Sequence, residues 1–389
     1  MWSLIIFIAS IILLIVLMIR GIHLGVSILI VAIIIQLSLN PTDMYKVFYN
    51  TIMYEATWVI ILSSVTIMWL ALILQDKGIV NEIGLSLTRI LKKPSLALVI
   101  IPAIMGLLPI AGGALLSAPI VDSLVNCPPH IAAYINLWFR HTIFPIYPIS
   151  NLIIMASALT NIPIEVIALF NSPLTITMIL VGYVFGLRGL SYRDQYRAER
   201  GSIKPLITIF LPIVMSLALR SVFGNFSIPL AVLVSIFVTG LMMDIPITKL
   251  LRYLFSRKVF SIAFIGFSIM VMNSTIRLSG ISEDLILLEK IMPQNLIYVL
   301  LPGVISAASG SPMLGLLLFI SAFNVTDLKS LLFIYTSSYL GYLVSPTHLC
   351  LVYTVEYFRT NIKDLYKILI PSAVIVFIVM NAYIYLFVN

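Results

Sequence analysis

The sequence predicts an all-α polytopic membrane protein built from two inverted-topology repeats. Three observations predict it. The chain of 389 residues is 61% hydrophobic and 10% charged, a balance that water-soluble domains of this size do not have. Its apolar runs recur from end to end at bilayer-spanning length, without the period-two alternation of a β-barrel. The order of elements in the first half returns in the second.

Apolar helices are expected at 2–19, 22–38, 57–75, 131–158, 167–187, 205–219, 227–243, 258–274, 327–357 and 366–388. These make about ten crossings. Two further apolar stretches, 96–125 and 296–323, are broken near their middles by Gly, Pro and Ser and read as re-entrant hairpins. Short amphipathic pieces fall at 43–54, 79–91, 246–256 and 282–291. The run from Trp2 to Met18 lacks a basic start and a small-residue cleavage site, so it reads as a retained helix.

Orientation follows from Lys and Arg. With both termini outside and each broken stretch returning to its own face, most of the 23 basic residues fall on the cytoplasmic side. Letting a hairpin cross scrambles this asymmetry. The net charge of +8 is thereby assigned to orientation, not to nucleic acid. Cys127 and Cys350 imply neither a disulfide framework nor a metal spacing. No cofactor is expected beyond a coupling Na+ or H+.

Ile67-Met68, Gly78-Ile79, Pro102 and Pro148 recur as Ile269-Met270, Gly280-Ile281, Pro302 and Pro346, about 200 residues on. Each half reads as helix, helix, amphipathic piece, helix, amphipathic piece, broken hairpin, interrupted helix, helix. The first repeat is expected over 1–190, a cytoplasmic linker over 191–204 and the second repeat over 205–389. Five crossings per half invert the second against the first. Secondary transporters share this plan.

Backbone broken at membrane depth must be satisfied by protein or face a cavity. The breaks at Gly112-Gly113 and at Ser309-Gly310-Ser311 are therefore expected to meet near the midplane and bind solute. The interrupted helices supply the rest. "WFRHTIFPIYPISN" carries Arg140, His141, Ser150 and Asn151 around Pro145 and Pro148, and "GYLVSPTHL" carries Ser345, Thr347 and His348 around Pro346. The substrate set is thus Gly112, Gly113, Ser309, Gly310, Ser311, Ser345, Thr347, His348, Arg140 and His141. Oxygens of Ser150, Asn151, Ser345 and Thr347 suit sodium; His141 and His348 suit protons; sodium is favoured. Arg140 is open to two readings, anion binding or a structural pair with Asp122. Glu356 reads as a snorkelling residue, and His23 and His130 as interfacial.

"LLPIAGGALLSAPIVD", "WFRHTIFPIYP" and "GYLVSPTHLCLVYTVEYF" resemble an archaeal and bacterial integral membrane family numbered 401 among domains of unknown function. That family is grouped with the ion transporter superfamily. The resemblance implies a cytoplasmic-membrane homodimer of scaffold domains, with mobile domains that move as elevators. It also implies coupling to sodium or protons. Dicarboxylate permeases of that superfamily carry Ser-Asn-Thr at their hairpin tips, where this chain has Ile110-Ala111-Gly112-Gly113 and Ser309-Gly310-Ser311. The expected activity is secondary transport of a small anionic solute. Translocation of a lipid-linked anion such as polyprenyl phosphate is the alternative. An intramembrane serine hydrolase using Ser309 and His348 is the second; Ala307 stands where such an enzyme carries Gly.

Overall fold

The structure, a computed structural model, describes residues 2–76, 87, 90–91, 93–107, 114–192, 204–281 and 292–388. The described residues are helical, turn or loop apart from one short pairing: Val125-Asn126 runs antiparallel to Ser191-Tyr192. Six helical stretches among them are long and apolar enough to cross a membrane: Glu55–Asp76, Pro129–Thr160, Ile164–Leu187, Leu206–Met242, Arg257–Leu278 and Ile362–Phe387. The chain is therefore an all-α protein built to sit in a membrane. Its exposed surface, rich in Leu, Ile, Val and Phe, suits lipid rather than water.

The first half opens with α1 (Trp2–Ile19) and α2 (Leu24–Leu39), joined at Gly21, whose φ of +75° a side chain would strain. Then come α3 (Met44–Met53) and α4 (Glu55–Asp76). On α3, Val47 and Thr51 lie buried one turn apart while Tyr45, Tyr49 and Met53 are exposed, so it lies along the bundle as an amphipathic piece. The first broken stretch comprises α5 (Pro94–Gly106) and α6 (Ala114–Leu124). The first interrupted helix comprises α7 (Pro129–Arg140) and α8 (Asn151–Thr160). The half closes with α9 (Ile164–Phe170) and α10 (Ser172–Gly182), which runs into a π turn over Tyr183–Leu187.

The second half follows the same order. Helices α11 (Lys204–Phe223) and α12 (Ser227–Met242) precede the amphipathic α13 (Ile247–Leu254) and the long α14 (Arg257–Leu278). The broken pair is α15 (Gln294–Ser309) and α16 (Pro312–Ala322), the interrupted pair α17 (Leu328–Leu343) and α18 (Leu349–Tyr357), and α19 (Ile362–Phe387) closes the chain. The helix expected over 167–187 is divided at Asn171, which caps α9 ahead of Pro173. The amphipathic pieces at 79–91 and 282–291 lie largely outside the described residues, as do most of the linker and the first hairpin tip.

Packing repeats as the order does. Helix α2 packs on α14 and α12 on α4; α4 and α14 pack on each other. Helix α6 rests on α18, and α16 on α8, so each broken stretch leans on the interrupted helix of the other half. The two amphipathic helices are pinned by polar contacts. Thr51 of α3 donates to Ser274 Oγ of α14 at 2.8 Å. Trp69 of α4 donates from Nε1 to the Leu250 carbonyl of α13 at 2.8 Å, and Lys249 meets Asp76 at 2.8 Å. Trp69→Phe keeps an aromatic ring but loses this hydrogen bond between α4 and α13. The expected loss is about 1–2 kcal/mol, read as a lower melting temperature in detergent.

Candidate functional site

The site lies where the two interrupted helices stop. After α7, residues 141–150 leave helical geometry through a 3-10 turn at Phe144–Ile146. Pro145 and Pro148 each remove a backbone donor, and two such losses within four residues favour leaving the helix here, whereas single prolines such as Pro102 and Pro302 stay inside their helices. Ser150 restarts it: its hydroxyl accepts from Ile153 N at 3.3 Å as the N-cap of α8. After α17, the chain leaves the helix over residues 344–348, around Pro346.

Ser345 substitutes for the lost backbone bonds. Its hydroxyl donates to the Ala307 carbonyl of α15 at 2.6 Å, lies 2.9 Å from Thr347 Oγ1 and accepts from Thr347 N at 3.2 Å. It thereby ties the second break to the second hairpin. The hairpin tip turns through Gly310 at φ +64°, pressed against Thr347: a Cβ at Gly310 would stand 2.5 Å from Thr347 Oγ1. Ser309 is buried, with its hydroxyl facing the Ser306 and Ser311 carbonyls at 3.5 and 3.4 Å. Ser311 is half-buried and extended ahead of α16. Thr347 is exposed while Ser345 and His348 are buried, so this loop forms the rim of the site.

Beneath the rim the two breaks share a cluster of side chains. The rings of His141 and His348 meet edge to face with centroids 4.8 Å apart, and Tyr342 lies against His348 at 4.0 Å. His141 holds the Leu137 carbonyl through Nδ1 at 2.7 Å. Neither ring nitrogen of His348 closes a hydrogen bond of good geometry, though its ring is 1% exposed. Arg140 is 4% exposed, and its charge acts on His141, His348 and Tyr342. No carboxylate pairs with it among the described residues, and its Nη1 is buried without a partner. The C-terminal carbonyls of α7 offset part of this charge, since a helix end favours a cation. Gly106 lets α5 pack on Arg140; a Cβ there would collide with the Arg140 carbonyl.

The structure thus brings together Arg140, His141 and His348 in one cluster, and Ser309, Gly310, Ser345 and Thr347 in an adjoining one. Gly112 and Gly113 lie outside the described residues. The pairing of Arg140 with Asp122 does not form: Asp122 is exposed on α6 and acts on Tyr357 instead. Ser150 and Asn151 are joined to Ser345 and Thr347 by no hydrogen bond, and Asn151 Oδ1 is buried without a partner. Nor does a hydrogen bond link Ser309 to His348, so the dyad of a serine hydrolase is not assembled.

Sequence reasoning missed three members. Tyr342 and Cys350 lie beside residues it selected, on either side of Pro346, but an aromatic and a lone thiol in apolar surroundings gave no signal. Asn136 is the third. Its amide reaches the Ala114 carbonyl at 3.1 Å and Thr354 Oγ1 at 3.2 Å, and its oxygen accepts from Ser117 at 2.6 Å. It fastens α6, α7 and α18 together. A polar amide about one turn before the break was its only trace in the sequence.

No curated protein matches the chain. The family described as "Protein of unknown function (DUF401)" matches residues 2–388, nearly the whole length, and the chain belongs to that family.

Proposed function

We propose that this protein is a secondary active transporter of a small anionic solute. The observation that carries the reading is Arg140, a buried cation at the meeting of two helix breaks with no carboxylate paired to it among the described residues. An isolated charge in such a place costs several kcal/mol, and intramembrane ionisable residues mark substrate paths. A solute anion is the partner that removes the cost. Ser309, Gly310, Ser345 and Thr347 at the rim supply hydroxyl and backbone groups for its neutral part.

The repeated order of elements and the reciprocal leaning of α6 on α18 and α16 on α8 support two inverted repeats with ten crossings and two re-entrant hairpins. In this reading the hairpins and interrupted helices form the moving domain. Helices α1–α4 and α11–α14 form the scaffold of a homodimer in the cell membrane. Alternating access is of the elevator type. Sodium is the favoured coupling ion, because Asn151 Oδ1 is a buried oxygen free to bind one.

The test is uptake into proteoliposomes of a panel of labelled mono- and dicarboxylates. Saturable uptake of at least one anion is expected, and it should collapse when choline replaces sodium. Uptake that survives choline but stops with a protonophore moves the coupling to His141 and His348. No uptake of any anion removes the transport reading. A second reading has one supporting observation: an apolar groove of about 280 Å³ between α15, α17 and α19 runs from Val304 and Phe377 to Ala307, beside Ser345. It suits an isoprenoid tail. Leaflet exchange of a fluorescent polyprenyl phosphate in the same liposomes separates the two.

A further inference from the structure

We propose that His141, His348 and Cys350 form a binding site for a thiophilic metal ion of the zinc class. The three come from two separate breaks: His141 follows α7, His348 precedes α18, and Cys350 lies in the first turn of α18. Their ligand atoms all lie within 4.8 Å of one another. Bonds of about 2.0–2.3 Å in a tetrahedron set ligand atoms about 3.4–3.8 Å apart, so a small rotation of one side chain closes the set.

The protonation pattern also fits. His141 Nδ1 is engaged by the Leu137 carbonyl at 2.7 Å, which leaves Nε2 with its lone pair free to bind a metal. A ligating histidine is held in this way, its second nitrogen fixed by a carbonyl. His348, 1% exposed, closes no hydrogen bond of good geometry through either nitrogen, its near backbone partner being Leu343. A metal removes that deficit, and neutral solvent has little access to do so. Cys350 is a free thiol, and the ion displaces its proton to solvent as the S–metal bond forms. Two imidazoles and a thiolate suit zinc, cobalt or copper(I) and not magnesium or calcium.

Arg140 decides the fourth position. Its charge acts on both histidines and opposes a dication. The thiolate cancels one unit of charge, and an anion in the open position beside the guanidinium cancels another. The site therefore takes its metal together with an anion such as chloride or a carboxylate. The metal site stands on these three side chains and not on the transport reading.

The test is cobalt(II) titration of tag-free, chelator-stripped protein in detergent with chloride present. One cobalt per chain is expected, with a sulfur-to-cobalt charge-transfer band, intense tetrahedral d–d bands and bleaching by zinc. Cys350→Ser should lose the charge-transfer band, while Cys127→Ser keeps it. His141→Ala and His348→Ala should each weaken cobalt binding at least about tenfold. Metal-free melting curves of the variants show that each is folded. The absence of a charge-transfer band in the native protein overturns the proposal whatever the variants do. So does a band that persists unchanged in Cys350→Ser. Anion uptake by the stripped protein reads the transport function separately.

Discussion

On the proposed transport function, Arg140→Met is expected to abolish anion uptake and to raise the melting temperature. The two effects together distinguish a ligand-binding arginine from a structural one. Arg140 ends α7 with its side chain buried and, among the described residues, no carboxylate paired to it. Methionine fills a similar volume without a charge to desolvate, and replacing buried charge by apolar groups stabilises by about 1–4 kcal/mol where the ion was poorly compensated. Uptake should fall at least about 100-fold, because a charge-assisted contact left unmade costs about 3 kcal/mol or more. Arg140→Lys keeps charge but loses the planar fork, so intermediate uptake is expected. Liposome uptake and detergent melting measure the pair. A variant that loses both stability and uptake would show that Arg140 holds the fold.

Gly341→Ala is expected to destabilise more than any other single methyl addition in α17. A Cβ at Gly341 would stand 2.1 Å from the Gly303 carbonyl oxygen, 2.7 Å from its carbon and 2.8 Å from its Cα. All three are backbone atoms of α15, so no rotamer change relieves the collision. Gly303 is fixed in turn: its N–H donates to Ser337 Oγ at 2.9 Å, and Ser337 donates onward to the Val299 carbonyl at 2.6 Å. The α15–α17 contact is the small-residue kind that lets two membrane helices approach. Forcing them apart costs about 3 kcal/mol and should lower the melting temperature by about 4 °C. It also drags the hairpin tip from Thr347, so uptake falls with stability. A melting temperature within error of the parent would mean that α15 is free to shift on α17.

Much of this was legible in one dimension. Helix positions follow from apolar runs, because a span must bury or lipid-face nearly every residue. The breaks follow from proline set among polar residues, Pro145 and Pro148 beside Ser150 and Asn151 and Pro346 between Ser345 and Thr347, since lone prolines such as Pro102, Pro302 and Pro371 stay inside their helices. The pairing of breaks across halves follows from the repeated order of elements. Arg140, His141 and His348 were selected as polar residues in places where polarity is expensive.

What lay beyond the sequence was which of these residues meet. Arg140 could equally have faced Asp122, but α6 packs so that Asp122 is exposed and pairs with no part of the Arg140 guanidinium. His141 and Cys350 stand more than two hundred residues apart, so no spacing announces them as neighbours. The sequence by itself determined the class, most of the helices and the two interruptions, since those depend on local hydrophobicity and on prolines grouped with polar side chains. The tertiary structure decided the partners of each buried polar group, because that depends on crossing geometry set by glycines such as Gly106, Gly303 and Gly341, and no local pattern encodes which distant backbone a missing Cβ admits.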